Sequence, residues 1–319
     1  MRRRYLFELI QIIRNYFNDQ GFLDVITPPA VENPGMEVHI HPFRLHSVRT
    51  GENRSLYLHT SPEFSMKELL ASEEGLENIF SISYCFRDEP ESPIHRPQFL
   101  MLEWYRKNAR YEKIMQDVHE LISYVIYEGL KRGLPIRQSI LNQPLTRKTM
   151  PDLFEEVLGV NILNYLDLKD LKNLLKRYPE VPTPEAELEW DDYFFLLYLN
   201  KIEPHLSKYP LLLLSEFPAP LSALSTLKRD DPRVCERFEV YVNGIELCNC
   251  FNELTDAKEQ RKRFYQQNEL KKKIYHYSLP EPSRFYSVME TGLPPSAGIA
   301  LGVERLLHVL FEIENPFYD

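Results

Sequence analysis

Apolar residues at helical spacing open the chain. Leu6, Ile10, Ile13 and Phe17 recur every three or four positions, and Gly21, which tolerates a left-handed helix end, predicts the stop. Residues 22–29 read as extended, and 56–59 and 79–84 as short strands on either side of a helix at 63–71. A second long helix is predicted over 111–130, where Ile114, Val118, Leu121, Ile122 and Val125 share one face before Gly133 and Pro135 end it. Residues 144–208 read as helical and irregular, punctuated by Pro179, Pro182 and Pro184, and strand character returns at 211–214 and from 238 onward. Strands on both sides of a helical insertion predict a single α+β domain over 1–319, its sheet assembled from distant parts of the sequence and flanked by helices.

Composition narrows the function classes. With 43% hydrophobic and 27% charged residues the 319-residue chain is neither disordered nor collagenous. Its apolar runs are far shorter than the roughly 20 residues that cross a bilayer. Glu8, Gln11, Arg14 and Asn15 interrupt what would be a signal-peptide core, so the chain reads as cytoplasmic, with no membrane partner. The net charge of −9 opposes association with a phosphate backbone, and no DNA partner is expected. The short basic runs at 2–4 and 271–273 read as solvated faces. Four cysteines without a C-x-x-C pair read as reduced thiols.

Asn243-Gly244 lies between two alternating runs, the strongest short signal for a two-residue hairpin. The register this implies sets Val242 opposite Ile245, Tyr241 opposite Glu246 and Glu239 opposite Cys248. Glu239 and Glu246 then lie diagonally on one face, within reach of one cation such as Mg²⁺ bridging phosphates. Asn249 and Glu253 have the opposite parity, and a bulge near Cys250 is expected to turn them back to that face. Upstream, Arg87 and Glu89 share a strand face, a cationic loop carries His95 and Arg96, and Phe99 stands at the loop exit: an arginine, mobile cations and a ring are the parts that neutralise a triphosphate and stack a purine. Gly298, Ala300 and Gly302 alternate with Ile299, Leu301 and Val303, leaving a nearly bare strand face that ends at Arg305. The pattern is neither a P-loop nor a dinucleotide fingerprint.

Taken in order, the stretch from Gly21 to Pro28, the stretch Phe86-Arg-Asp-Glu89 with 99–105, and the stretch from Gly298 to Arg305 resemble motifs 1, 2 and 3 of the class II aminoacyl-tRNA synthetases. Thr60-Ser-Pro-Glu63 through Lys67, Met101-Leu-Glu-Trp-Tyr105 and 237–257 sharpen this to the lysyl-tRNA synthetase branch, and above all to its short paralogues, the elongation factor P lysine ligases. The first helix runs into motif 1 within about two dozen residues, so no anticodon-binding domain is expected ahead of it, and tRNA is an unlikely partner. Ala300, where lysyl-tRNA synthetases usually carry glycine, points the same way.

The resemblance implies a mainly antiparallel catalytic fold and a chemistry. The enzyme would use ATP and Mg²⁺ to activate (R)-β-lysine or lysine as an adenylate, and would transfer the acyl group to a lysine of elongation factor P. Arg87 and Arg305 would be catalytic. Glu89, His95, Phe99, Glu246, Leu247 and Gly302 would join them around ATP, and Glu239 and Glu246 would hold the metal. Ser61, Glu63, Tyr105, Asn249, Glu253 and Ala300 would form the amino-acid pocket, with Tyr105 and Glu253 meeting the distal ammonium. A homodimer is expected, because residues 6–17 with Pro28 present an apolar face that the small sheet need not consume. Two other readings stay open: an amino-acid ligase acting on tRNA or a free metabolite, and a catalytically silent paralogue that binds a partner.

Overall fold

The computed structural model describes residues 2–72, 76–92, 95–185, 187–311 and 313. In chain order its elements are α1 (Arg2–Asp19), β1 (Leu23–Asp24), β2 (Ala30–Val31), β3 (Arg44–His46), β4 (Asn53–Leu58), α2 (Glu63–Leu70), β5 (Asn78–Phe86), β6 (Gln98–Lys107) and α3 (Tyr111–Lys131). Then come β7 (Thr146–Thr149), α4 (Met150–Leu158), α5 (Leu168–Leu175), α6 (Trp190–Leu197), α7 (Glu203–Leu206), β8 (Leu211–Ser215), β9 (Arg237–Val242) and β10 (Ile245–Asn252). The order closes with α8 (Ala257–Tyr275), α9 (Ser283–Gly292), β11 (Ser296–Gly302) and α10 (Val303–Leu310). Met1–Pro135 with Leu254–Asp319 forms one compact unit and Ile136–Glu253 a second. No helix among the described residues is long and apolar enough to cross a membrane.

In the first unit the strands run in the order β1-β5-β6-β11, with only β1–β5 parallel, and a separate small sheet runs β2-β4-β3. Helix α1 ends as its sequence predicts, with Gly21 at φ 74°. Its apolar face is not left over, however. Leu9, Ile12, Ile13 and Phe17 are fully buried, and Phe17 stacks on Phe80 at 4.7 Å and meets Trp104 at 5.2 Å. The face expected to be spare for a second subunit is consumed because the sheet behind it is itself apolar. Exposed apolar residues nearby in sequence are Phe7 on the outer side of α1, at 56%, and Leu23, Ile26 and Val48 beyond it, at 53%, 94% and 96%.

Helix α3 lies against α1, with the Tyr16 hydroxyl donating to the Asp117 carbonyl at 3.2 Å. Asp117, wholly buried, takes a two-pronged bond from Arg106 at 2.6 and 3.0 Å, while that guanidinium rests over the Phe22 ring at 4.3 Å. Lys271, expected on a solvated face, is instead fully buried. Its Nζ donates to the Ile40 carbonyl at 2.8 Å and to the Tyr277 hydroxyl at 3.2 Å, which offset the cost of taking an ammonium out of water.

The second unit orders its strands β10-β9-β8-β7, with β7–β8 the parallel pair. The segment expected to be helical and irregular therefore also contributes a strand. Its helices bury Leu153, Phe154, Leu171, Phe194 and Leu197 against Leu212 and Leu214 of β8. Helix α4 begins at a reciprocal cap between Thr149 and Asp152 and stops at Gly159, φ 66°. All four cysteines are buried free thiols.

Candidate active site

In the first unit, β5, β6 and β11 carry one continuous face. Phe99, Met101, Glu103 and Tyr105 of β6 stand beside Cys85, Ser83, Ser81 and Ile79 of β5, and Met101, Glu103 and Tyr105 pair across β11 with Gly302, Ala300 and Gly298. Bare backbone thus borders the Phe99 ring, as the alternation of small residues predicts. Just past β5, the Arg87 amide bonds to the Pro97 carbonyl at 2.9 Å and closes the loop that follows. The Arg87 guanidinium lies 5.2 Å from the Phe99 centroid, and its buried Nε has no hydrogen-bond partner among the described residues. Glu89 is half-buried beside it.

Within the loop, Pro93 and Ile94 lie outside the described residues, but His95 is held at both ring nitrogens. Arg305 Nη2 donates to His95 Nε2 at 3.1 Å, so the other nitrogen carries the proton and meets Ser92 Oγ at 2.8 Å. Arg96 Nη1 caps the His95 carbonyl at 3.0 Å. Gly302 packs against the Arg305 side chain, where a Cβ would stand at 3.4 Å, an ordinary van der Waals contact. The neighbouring Glu304 accepts the Leu100 amide at 2.9 Å and is pushed up to about 7 by burial, which pins the start of α10 to β6.

Beside the end of β5, Ser61 and Glu63 at the start of α2 line a small pocket together with Gly35, Glu37 and His59. Glu63 Oε1 accepts from buried Lys67 one turn on, at 2.5 Å. Tyr105 is buried and its hydroxyl donates to Glu103 at 3.2 Å.

In the second unit the hairpin turn has Asn243 and Gly244 both at positive φ, 49° and 83°, as its type demands. Ile245 pairs with Val242 and Glu246 with Tyr241, as expected. The bulge, however, falls at Leu247 rather than near Cys250: Cys248 pairs with Val240 and Asn249 with Glu239. One extra residue reverses the parity three positions earlier than expected, so Asn249 joins Glu239 and Glu246 on one face, and Glu253 follows at the same parity. Leu247, at the shift, buries its side chain, and Cys250 sits in regular pairing with Phe238, facing away from the carboxylates. Arg237, given no role in the sequence analysis, bonds Glu239 Oε1 at 2.5 Å and Asn249 Oδ1 at 3.1 Å. Glu239 also accepts from the Tyr241 hydroxyl, which accepts in turn from Tyr198 at 2.9 Å. Burial pushes the Glu239 carboxyl up, Arg237 opposes, and Glu246 adds to the rise. Glu253 is 2% exposed and bridged through its backbone to Ser225.

Residues 4–315 match the model of the family tRNA synthetases class II (D, K and N). The chain belongs to that family. It is 34% identical over 97% of its length to the elongation factor P--(R)-beta-lysine ligase of Proteus mirabilis, covering 90% of that protein. It is 35% identical over 94% to the ligase of the same name from Vibrio vulnificus (88% covered) and 34% identical over 95% to that from Salmonella arizonae (89% covered). The α+β, mainly antiparallel architecture agrees with the class II fold expected from the motifs. Glu37 and His59 were missed because neither lies in those motifs, and Arg237, the first residue of the 237–257 stretch, was given no role; the Pro34-Gly35 turn was the one local signal that the chain folds back near Glu37.

Proposed function

We propose that this protein activates (R)-β-lysine, or lysine, with ATP and transfers the acyl group to a lysine side chain of elongation factor P. The names of its relatives supply substrate and acceptor. The observation that carries the chemistry is the strand face of the first unit, where Arg87 with its unsatisfied Nε lies over Phe99 beside bare backbone and Arg305. A carboxylate oxygen of the amino acid bonds to the α-phosphorus as pyrophosphate leaves. An acceptor amine then attacks the acyl carbon, losing a proton, and AMP departs. Arg87 takes up charge gathering on the phosphoryl oxygens, Phe99 and Arg305 hold the base, and Glu89, His95 and Gly302 complete the nucleotide's surroundings. Positioning and charge suffice without a protein nucleophile. Ser61, Glu63, Tyr105 and Ala300 of the first unit serve the amino acid, the role that the resemblance also implies for Asn249 and Glu253.

Mg²⁺ fits the donor chemistry of the hairpin face, where Glu239 and Glu246 offer hard oxygens whose mutual repulsion a cation relieves. No group of three or more such ligands occurs among the described residues. When bound, it would neutralise phosphate charge. The homodimer is retained on a different basis, the exposed Leu23, Ile26 and Val48.

ATP–pyrophosphate exchange with a panel of lysine isomers, followed by transfer assays with elongation factor P and with tRNA, tests the reading. Exchange with lysine isomers and acylation of elongation factor P are expected. Acylation of tRNA alone would replace the acceptor, and absence of exchange would overturn the proposal.

A further inference from the structure

The pocket at the start of α2 contains polar groups that the activation chemistry leaves unassigned. Its floor is a turn held by named bonds. Gly35 donates its amide to Asn33 Oδ1 at 3.0 Å, and the Thr60 hydroxyl donates to the Pro34 carbonyl at 2.7 Å. Gly35 has φ 137°, and a Cβ there would fall 2.6 Å from Glu37 Oε2. Glycine is therefore what lets the Glu37 carboxylate fold back under the turn, where it accepts the Met36 amide at 2.9 Å. In that position burial pushes the Glu37 carboxyl up, Glu63 raises it further and Arg87 opposes, so Glu37 lies within electrostatic reach of both a substrate carboxylate residue and the arginine of the reaction.

His59 supplies an independent observation. It is 1% exposed, and its Nε2 lies 2.7 Å from the Tyr84 carbonyl. A carbonyl only accepts, so Nε2 carries the proton, and in the neutral ring that burial favours, Nδ1 is a bare acceptor. This Nδ1 is buried and has no hydrogen-bond partner among the described residues. A pocket lined by Glu37, Glu63 and an unsatisfied imidazole lone pair offers acceptors, and because Glu63 is already paired with Lys67 its negative charge comes from Glu37. The ligand that matches is a primary ammonium, with three N–H donors and one positive charge.

We propose that Glu37 and His59 complete, with Glu63, the receptor for the amino group nearest the reacting carboxylate of the diamino acid, Glu37 as its counter-charge and His59 as a neutral acceptor. This rests on the lysine-activating reading given above and assigns two residues to its substrate. Neither takes part in the phosphoryl chemistry, so their loss should act on amino-acid binding and leave ATP binding alone.

The test is pyrophosphate exchange by the intact protein with β-lysine, α-lysine and 6-aminohexanoate, which lacks the near amino group. Wild type should favour the lysine isomers over 6-aminohexanoate by roughly 10- to 100-fold or more, the scale of a charge-assisted hydrogen bond. Glu37→Gln should raise KM for the lysine isomers by a similar factor, leave KM for ATP within about twofold and collapse the preference over 6-aminohexanoate. His59→Leu should show the same pattern more weakly. If Glu37→Gln folds poorly, the wild-type preference and His59→Leu still decide. Equal loss on all three substrates would mean a structural role and overturn the proposal, as would an unchanged KM. A wild type that activates no lysine isomer would instead remove the functional reading beneath it.

Discussion

Replacing Lys271 by methionine should flatten the dependence of stability on pH between 7 and 10. Burial lowers the Lys271 ammonium from its ordinary 10.5 to about 8, with Glu37 opposing. Between those values the unfolded chain holds a proton that the folded chain has given up, so stability rises with pH across that window and the full penalty is present below it. The drop corresponds to about 3 kcal/mol, of which roughly 2.5 kcal/mol falls between pH 7 and pH 10. At any single pH, Lys271→Met also strands the Ile40 carbonyl and Tyr277 hydroxyl, which mixes two effects. Comparing slopes separates them. Urea unfolding of both proteins at pH 7, 8, 9 and 10 should give curves that diverge by about 2 kcal/mol or more at the alkaline end. Tyrosines and thiols away from position 271 titrate alike in both and cancel, and Tyr277, pushed up to about 12 by burial, keeps its proton in the folded wild type across this window. Parallel curves, within about 0.5 kcal/mol, would refute the reasoning and mean that the ammonium is solvated or paired well enough to keep its ordinary affinity for the proton.

Asp117→Ala should lower stability by about 3–5 kcal/mol in urea unfolding, because it leaves the Arg106 guanidinium buried without its two-pronged partner. Glu246→Gln should abolish pyrophosphate exchange while circular dichroism stays unchanged, since the shared carboxylate face loses a charge that would hold Mg²⁺. Glu253→Gln should weaken activation of β-lysine and α-lysine alike, whereas Ala300→Gly should change their ratio, because the one alters charge and the other space. Sedimentation at micromolar concentration should show a dimer that Ile26→Asp converts to monomer.

Helices α1 and α3 and the hairpin were legible because each rests on a local pattern: a 3.6-residue apolar period ended by Gly21 or Gly133, and Asn243-Gly244 between alternating runs. The bare strand face with Arg305 beyond it was legible for the same reason, since a two-residue alternation of small and large side chains survives in any sheet. Lys271 was not. Three adjacent lysines look alike in sequence, and which one points inward depends on the rotation of α8 against the segment at 38–41, where Gln267 takes the Val38 amide at 3.1 Å and Lys271 the Ile40 carbonyl. The spare face of α1 failed similarly, because amphipathicity shows that a face will be buried and not against what.

The bulge at Leu247 shows where local pattern stops and chemistry begins. Without it, Asn249 and Glu253 would face away from Glu239 and Glu246; with it, one unpaired residue brings all four to a single parity. A bulge has no dedicated residue of its own, since Leu247 could sit equally well in a regular strand. Its position follows from what the neighbours gain. Arg237 can bond Glu239 and Asn249 together only if those two lie opposite each other, which the shift at Leu247 achieves and a shift at Cys250 would not. Those charge-assisted bonds, buried beside Phe217 and Phe251, favour the shifted register over a slipped one. Arg237 thus helps hold the hairpin in register, and this arginine, the first residue of the 237–257 stretch, favours the pairing that sets Glu239 opposite Asn249.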